Sequence, residues 1–266
     1  RALARPRGLE TAEGQSGVKR DLTVDLCVIG AGAGGLSVAA GASQLGLKVV
    51  LFEAGEMGGD CLNTGCVPSK ALIAAGKTAH AMRHAGRFGI APVEPRIDWA
   101  GVKAHLRSVI DTIAPIDSQE RFEGLGVTVV REWARFADPV TVESDSVRVR
   151  AKRFVLASGA EAFVPRIPGL AETPYLTNET IFSAPEFPAR LIVLGGGAIG
   201  VELGQAFARL GAAVTIVEAE TLLARFDSEA AGLVRASLQA DGVRLHEKAK
   251  AVAARPDGAG VAVTLD

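Results

Sequence analysis

The feature that most constrains this chain is a glycine-rich strand–helix–strand segment that occurs twice. The first copy runs from VDLCVIG through LSVAAGASQLG to KVVLFEA, and the second, LIVLGGGAIGVELGQAFARLGAAVTIVEA, follows 165 residues later in the same order. Two copies in one register indicate two versions of a single supersecondary unit, and not a solenoid. The positions that they share are Gly30, Gly32, Gly35 and Glu53 in the first copy, and Gly195, Gly197, Gly200 and Glu218 in the second.

Each copy has the residues expected of a dinucleotide-binding turn. In G-x-G-x-x-G, the first glycine permits a tight turn, the second lets the backbone approach a pyrophosphate, and the third lets the helix pack on the strand. The helix N-terminus attracts the phosphates, and the acid that ends the second strand can accept hydrogen bonds from a ribose. The sequence therefore predicts an α/β fold with two doubly wound, Rossmann-like nucleotide-binding domains.

The acid of the second copy bears on which nicotinamide nucleotide is bound. A 2′-phosphate would be repelled by the carboxylate of Glu218, and sites for NADP usually hold an arginine. The nearest basic residue along the chain is Arg225, seven residues further on. We therefore expect NAD in preference to NADP.

The segment GGDCLNTGCVPSKAL, residues 58–72, carries two cysteines at the start of a predicted helix. A thiolate at a helix N-terminus is stabilised by the helix dipole, so Cys66, two residues before Pro68, is expected to be reactive. Together with Cys61 it can close to a disulfide and so accept two electrons. Cys27 lies inside the first strand and fits a buried structural role.

A zinc site is the alternative for this segment. Cys61, Cys66, His80 and His84 follow C-x4-C-x13-H-x3-H, close to a Cys2His2 pattern. A zinc finger needs a β-hairpin that carries the cysteines and an independent small module, whereas this segment sits between a nucleotide-binding unit and the rest of a large fold. We therefore expect no metal ligands here.

Composition excludes several classes of protein. The 29 Lys and Arg are balanced by 30 Asp and Glu, so no basic field is available to hold nucleic acid. No apolar run reaches the roughly 18 residues that span a bilayer. Three cysteines among 266 residues are too few for a disulfide-stapled secreted scaffold. We expect a cytoplasmic protein that binds neither nucleic acid nor membrane.

The chain is predicted to divide into an arm and two domains. Residues 1–20 lack apolar periodicity and are expected to be a flexible arm, with the first strand beginning at Val24. Residues 21–165 would form the first domain and residues 166–266 the second, joined through a proline-rich stretch. Helices are predicted at 66–87, at 98–123 with a break near Pro115, and at 228–240; strands are predicted on both sides of a turn at Pro139 and in the final VAVTLD.

With these motifs, residues 22–266 resemble the class I pyridine nucleotide–disulfide oxidoreductases, the family that includes dihydrolipoamide dehydrogenase, glutathione reductase and mercuric reductase. A dithiol in the first nucleotide domain distinguishes this resemblance from the thioredoxin reductases. The resemblance is carried by GAGAGG (30–35), Glu53, GGDCLNTGCVPSK (58–70), ASGA (157–160), PGL (168–170) and GGGAIGVELG (195–204).

The resemblance implies FAD in the first domain and NAD(P)H in the second. Cys66 would be the thiol beside the flavin, Cys61 the outer thiol that exchanges with substrate, and Lys70 the partner of Glu202. Further cofactor contacts are implied at Gly59, Asp60, Lys70, Ala134, Ser158 and Gly159. Two positions depart from the family pattern: Asp60 stands where threonine commonly precedes the first cysteine, and Glu132 begins the stretch that corresponds to G-x-A-x-F.

The implied function is electron transfer between NAD(P)H, FAD and a Cys61–Cys66 disulfide, most similar to that of dihydrolipoamide dehydrogenase. Mercuric reductase or another disulfide reductase is the alternative, as is a non-catalytic nucleotide-binding portion. The substrate would be a small-molecule or lipoyl-protein disulfide, and the full-length protein a homodimer. The chain is expected to be the front part of a longer enzyme, because members of the family continue past the nicotinamide domain to a second FAD segment and a dimer-interface domain. No acid–base residue is assigned, since none of its histidines occurs in the context of the family's acid–base histidine: His80, His84, His105 and His246.

Overall fold

The computed structural model describes residues 19–266 of the chain. Its helices and strands, in chain order, are β1 (Arg20–Ile29), α1 (Ala33–Gln44), β2 (Val49–Phe52), α2 (Gly59–Asn63), α3 (Cys66–Arg83), α4 (Trp99–Ile113), α5 (Gln119–Gly124), β3 (Thr128–Val130), β4 (Arg135–Asp138), β5 (Thr141–Glu143), β6 (Val147–Leu156), β7 (Arg190–Leu194), α6 (Ala198–Arg209), β8 (Ala213–Glu218), α7 (Ser228–Ala240), β9 (Arg244–Glu247), β10 (Ala251–Asp257) and β11 (Gly260–Leu265). Short 3-10 turns lie at Ala85–Phe88, Ala114–Ile116, Leu170–Glu172 and Ile181–Ser183.

The first sheet has the strand order β3-β2-β1-β6-β5-β4. Its strands are parallel from β3 to β6, and β5 and β4 then continue it in antiparallel pairing. The change of direction occurs between β6 and β5, and the predicted turn around Pro139 joins β5 to β4; there the Asp138 carboxylate accepts a hydrogen bond of 2.8 Å from the N–H of Val140. The α/β class is confirmed, although the sheet is mixed and not parallel throughout.

The first strand begins earlier than its apolar residues indicate. Instead of starting at Val24, β1 starts at Arg20, which pairs with Val147 of β6. Ladder hydrogen bonds are made by the backbone, so a polar stretch joins a strand when a long neighbour lies beside it. Arg20 therefore belongs to the sheet, while residues 1–18 of the predicted arm lie outside the described residues, and the domain boundaries stay a prediction.

The two faces of the first sheet carry separate apolar clusters. On one face, α1 and α5 pack on the strands through Leu36 and Phe122. On the other face, the alternating strand β6 contributes Val147 and Val149 to a cluster that also includes Phe52 of β2. Alternation with arginines on the exposed side is typical of a strand with one buried face.

The second unit is built on a smaller parallel sheet of order β7-β8-β9, followed by the β10–β11 hairpin. The helix predicted at 228–240 is confirmed as α7, and the predicted final strand as β11. The helices predicted at 66–87 and 98–123 are confirmed with breaks: α3 ends at Arg83, and Pro115 lies in the 3-10 turn between α4 and α5. The short helix α2 had no counterpart among the predictions.

Helices α3 and α4 join the two units through a third apolar cluster. Leu72 of α3 and Trp99 and Leu106 of α4 share this cluster with Val201 and Phe207 of α6. The indole N–H of Trp99 also donates a hydrogen bond of 3.0 Å to the carbonyl of Ala184. The helix that begins with Cys66 is therefore packed against the second glycine-rich unit.

Candidate functional site

The first glycine-rich turn is held tightly between β1 and β6. Gly30 has a φ of +104°, and a Cβ at this position would overlap the carbonyl oxygen of Ala157. A Cβ on Gly35 would overlap the carbonyl oxygen of Gly30, so the third glycine is needed for α1 to approach the strand. The turn therefore requires glycine at both positions for steric reasons.

The start of α1 provides a site for an anion. Gly32 is the N-cap residue, no side chain caps the helix, and its first turn contains no acidic residue. The N–H groups of the first turn are thus available to a phosphate, which the helix dipole also favours. These residues fit the pyrophosphate of a dinucleotide.

Glu53, at the end of β2, is fixed by two backbone N–H groups. One carboxylate oxygen accepts a hydrogen bond of 2.6 Å from Ala31, and the other accepts one of 2.6 Å from Gly55. Each carboxylate oxygen keeps a second lone pair, so Glu53 can still accept ribose hydroxyls. The guanidinium of Arg131, which was missed in the sequence, donates to the carbonyl of Gly55 beside it.

The second turn repeats this geometry around Glu218. Its carboxylate accepts hydrogen bonds of 2.7 Å from the N–H of Gly196 and 2.8 Å from that of Glu220. Gly195 has a φ of +112°, and a Cβ on Gly200 would overlap the carbonyl of Gly195. Gly197 is the N-cap of α6, again without a side-chain cap.

A cavity of about 620 Å³ opens at the second turn. Gly195 and Glu218 line it, and so do Arg166 and Lys250. Arg225, the base expected to lie near Glu218 from its position along the chain, is not among the residues that line this cavity, whereas Arg166 from the loop before β7 and Lys250 from the segment after β9 do line it. No spacing along the chain indicated these two residues.

The two cysteines meet across the junction of α2 and α3. Cys61 lies on α2 and is partly buried, whereas Cys66 is exposed as the first residue of α3; both are free thiols. A hydrogen bond to Cys66, burial, and the negative charge that Cys66 can carry all raise the pKa of the Cys61 thiol above its ordinary value. Cys27 is buried in β1, and burial raises its pKa to about 12, as suits a structural residue.

Close backbone packing holds the two helices together. A Cβ on Gly65 would lie 2.8 Å from the carbonyl oxygen of Asp60, and one on Gly59 would lie 2.7 Å from the Cα of Gly32. Gly58, which the sequence reasoning did not single out, has a φ of +86° and forms a β-bridge with Gly32. The cysteine pair is thus fixed directly against the first glycine-rich turn.

Lys70 connects this site to the second unit. Its ammonium group donates a hydrogen bond of 2.7 Å to Glu202 of α6, the partner that the family resemblance implies. The two side chains are 59% and 39% exposed, so the ion pair contributes at most about 1 kcal/mol to stability. Lys70 lies one helical turn beyond Cys66, so its position beside the thiols matters more for the site than its contribution to stability.

The remaining predicted residues fall into two groups. Ser158 and Gly159 follow β6 directly beside Gly30, next to the first turn. Ala134 packs at the edge of the apolar cluster on the other side of the sheet.

Glu132, two residues earlier, accepts a hydrogen bond of 3.0 Å from Ser146. Burial of this carboxyl raises its pKa, but hydrogen bonds from Ser144 and Ser146 outweigh burial, so the pKa lies below its ordinary value. This departure from the family pattern therefore serves the turn before β6.

The zinc alternative does not match this arrangement. Cys66 and His80 lie fourteen residues apart on the single helix α3, which places them about 21 Å apart along its axis. Two thiols and two imidazoles separated in this way cannot share one tetrahedral ion.

Within residues 19–266, no helix is both long enough and apolar enough to cross a bilayer.

Comparison with known proteins identifies the class. Residues 24–266 match the family described as "Pyridine nucleotide-disulphide oxidoreductase". The chain therefore belongs to this family of oxidoreductases, whose members use FAD and a pyridine nucleotide.

Individual relatives carry different names within the family. A mercuric reductase from Streptomyces lividans is 36% identical over 251 residues, which are 91% of this chain and 52% of that protein. A dihydrolipoyl dehydrogenase from Thermus scotoductus is 36% identical over 245 residues, 92% of this chain and 53% of that protein. Among solved structures, the HOCl-induced flavoprotein disulfide reductase RclA from Escherichia coli has a TM-score of 0.77 at 25% identity, covering 91% of this chain and 53% of that one. The chain spans about half the length of the curated relatives it matches.

Proposed function

We propose that this chain is the nucleotide-binding and redox half of a flavin-dependent disulfide reductase, with Cys61 and Cys66 as the redox pair. The observation that carries the proposal is the position of the thiols. They lie against the first glycine-rich turn, while the helix that Cys66 begins is packed on the second unit and paired to it through Lys70 and Glu202. A dithiol beside the first turn is suited to exchange electrons with a flavin bound there.

The first unit would hold FAD and the second a nicotinamide dinucleotide. Gly32 and the start of α1 would bind the flavin pyrophosphate, Glu53 the adenosine ribose, and Ser158 and Gly159 would approach the flavin. Gly59, Asp60 and Ala134 are included in this proposal on the resemblance alone. When bound, FAD supplies the relay between the two electrons of the reduced nicotinamide and the cysteine disulfide.

The chain's own share of the reaction is thiol–disulfide exchange. The Cys61 thiolate attacks a substrate disulfide and forms a mixed disulfide, and the first substrate thiolate leaves and takes up a proton. Cys66 then attacks the sulfur of Cys61, which closes the Cys61–Cys66 disulfide and releases the second substrate thiol. The raised pKa of Cys61 favours its thiol form, so its attack on a disulfide requires that a base take up the proton.

Serine substitutions of the three cysteines test the assignment of the pair. In FAD-loaded protein reduced without oxygen, a thiolate beside the flavin gives a long-wavelength absorption band. We expect the wild type, Cys61→Ser and the matched control Cys27→Ser to show this band, and Cys66→Ser to lack it. A Cys66→Ser variant that keeps the band would overturn the assignment of Cys66.

For the second unit we propose NAD in preference to NADP. The carboxylate of Glu218 is held by the N–H groups of Gly196 and Glu220, and Glu218 lines the cavity, where its charge would repel a 2′-phosphate. Arg166 and Lys250 line the same cavity and act in the opposite direction. We expect NADH to bind at least tenfold more tightly than NADPH, and Glu218→Ala to narrow that ratio. Equal binding of the two by the wild type would reject the preference.

The substrate is proposed to be a lipoyl-type disulfide, with Hg(II) as the second candidate. The exposed Cys66 and its neighbour offer two soft sulfur ligands, which suit a soft ion, and one relative named above is a mercuric reductase. Whole protein should be assayed with NADH and lipoamide, oxidised glutathione or Hg(II) in parallel. Lipoamide turnover supports the first proposal, Hg(II) turnover the second, and turnover of neither contradicts both.

A further inference from the structure

Trp133 is much the more exposed of the two tryptophans in the chain. It lies in the loop between β3 and β4 and is 67% exposed, whereas Trp99 is 8% exposed. Tryptophan is highly buried on average in folded proteins, because its large ring gains much from leaving water. An indole that remains in solvent beside a proposed ligand site is therefore a candidate contact for that ligand.

The loop that carries Trp133 starts next to the glutamate of the first turn. Val130, the last residue of β3, pairs with Phe52 of β2, and its carbonyl accepts a hydrogen bond of 3.0 Å from the N–H of Glu53. Trp133 comes three residues after Val130, so the two Cα atoms are at most about 11 Å apart. Trp133 is therefore close to the carboxylate proposed to bind the adenosine ribose.

Hydrogen bonds on both sides of this loop hold it in place. The guanidinium of Arg131 donates to the carbonyl of Gly55, in the loop that follows β2. The carboxylate of Glu132 accepts a hydrogen bond of 3.0 Å from the N–H of Ser146, in the turn before β6. The two residues before Trp133 are thus attached to neighbouring segments, while its own side chain stays exposed.

The order of the strands gives the direction in which a bound dinucleotide would extend. Strand β1 leads into the glycine-rich turn, β2 is its neighbour and ends beside Glu53, and β3 is the next strand outward. Ligands of such sheets lie outside the carboxyl ends of the strands. A pyrophosphate at the start of α1 and a ribose at Glu53 therefore place the base further out, toward the end of β3 and the loop of Trp133.

We propose that the indole of Trp133 stacks on the adenine of FAD in the first unit; this inference rests on the proposed assignment of FAD to that unit. Aromatic side chains bind bases by stacking on their faces, without reading the hydrogen-bonding edges. Because the loop is held by Arg131 and Glu132, the indole is already ordered near the adenosine end of the site. Trp133 would thus increase the affinity for FAD without taking part in electron transfer.

Calorimetric titration of the flavin-free chain with FAD tests this role. We expect Trp133→Ala and Trp133→Leu each to weaken FAD binding about tenfold, and Trp133→Phe to retain most of the affinity, because only phenylalanine keeps an aromatic face. Phe88→Ala is the matched control, since Phe88 is 69% exposed and lies in the 3-10 turn after α3. This control should leave the affinity for FAD unchanged.

A second measurement locates the indole in the unaltered chain, so it does not depend on how the variants fold. Oxidation of Trp133 by N-bromosuccinimide can be followed by mass spectrometry of the peptide that contains it. Saturating FAD should slow this oxidation at least fivefold, because a stacked adenine covers one face of the indole. FMN has no adenine and should leave the rate unchanged.

The outcomes separate this inference from the proposed function. Equal binding of FAD by the wild type and Trp133→Ala would refute the stacking while the assignment of FAD stands, as would an oxidation rate that saturating FAD leaves unchanged. Full affinity in Trp133→Leu would likewise refute it, because leucine cannot stack. Absence of FAD binding by the wild type would contradict the proposed function itself, and this inference with it.

Discussion

The two glycine-rich units have the same backbone but different surroundings. The N-cap glycines, Gly32 and Gly197, have φ and ψ of −77° and −178° in the first unit and −76° and −178° in the second, and each precedes a helix of 12 residues. A Cβ on Gly30 would overlap Ala157, whereas one on Gly195 would meet nothing within 4 Å. The motif thus determines the turn, and the neighbouring elements determine how enclosed it is.

The first helix of each unit, α1 or α6, also differs in what it packs against. Helix α1 packs on its own sheet through Leu36 and Ala39. Helix α6 also packs on its own sheet, but its outer side supports α3, where a Cβ on Gly76 would lie 3.0 Å from the carbonyl of Ala206. The second unit therefore has an additional structural task, which is to hold the helix that begins with Cys66.

The largest expected difference between the units is the cost of a methyl group at the first glycine. Gly30→Ala adds overlap with Ala157 to the strain of a positive φ, so we expect a loss of about 3–5 kcal/mol in the free energy of unfolding. Gly195→Ala carries only the strain, about 1–3 kcal/mol. Urea unfolding of both variants measures the difference, and equal losses would show that the turns are equally enclosed.

Substitution of Asp241, whose buried carboxylate contacts both α3 and α6, tests how strongly these two helices are held together. Asp241→Asn removes the charge that Arg209 and His80 face, and we expect a loss of about 3 kcal/mol, because the Arg209 side chain is only 20% exposed. The control is Lys152→Met, which removes an exposed ion pair with Asp25 in the first unit and should cost less than about 1 kcal/mol. Similar unfolding curves for the two variants would contradict the structural role of this junction.

The parts of the molecule that follow local rules were predictable from the sequence. The glycine turns, their glutamates and the Cys66 helix start are set by residues within one unit, and the structure has them where the motifs indicate. Helix α2 was not predictable, because its five residues, GDCLN, have no room for a helical apolar period. It is stabilised by tertiary packing of Gly58 and Gly59 on the first turn.

Long-range placement was predictable only through the family resemblance. Lys70 and Glu202 are 132 residues apart, and no pattern in either helix indicates that they meet. Arg166 and Lys250 reach the cavity of Glu218 through loops whose course depends on how the β10–β11 hairpin packs. The extension of β1 to Arg20 likewise depends on the length of its neighbour, and not on its own residues.

The glutamates should behave alike, because their contacts are the same in both units. Each accepts two backbone N–H groups, and glutamine can accept with only one oxygen. We expect Glu53→Gln and Glu218→Gln each to cost about 1–2 kcal/mol in the free energy of unfolding. A difference above 2 kcal/mol, measured by urea unfolding of each single variant, would show that the two turns are not equivalent.

The smallest expected effect on stability belongs to substitutions that test the two proposed nucleotide sites separately. Gly32 and Gly197 have extended backbones that any residue adopts, and a Cβ would meet only the Cα of Gly59 at 3.8 Å in the first case and nothing within 4 Å in the second. Alanine at either N-cap should therefore cost less than about 1 kcal/mol. It would, however, occupy the space where a pyrophosphate approaches the helix.

The two N-cap variants should therefore differ in which ligand they lose. Gly32→Ala should lower FAD content after reconstitution at least tenfold while NADH affinity, measured by calorimetry, is unchanged. Gly197→Ala should do the reverse. If Gly32→Ala weakened both ligands equally, the turns would not be independent sites. Loss of NADH affinity alone in that variant would instead exchange the assignments of the two units, because the backbone geometry is the same in both and only the surroundings distinguish them.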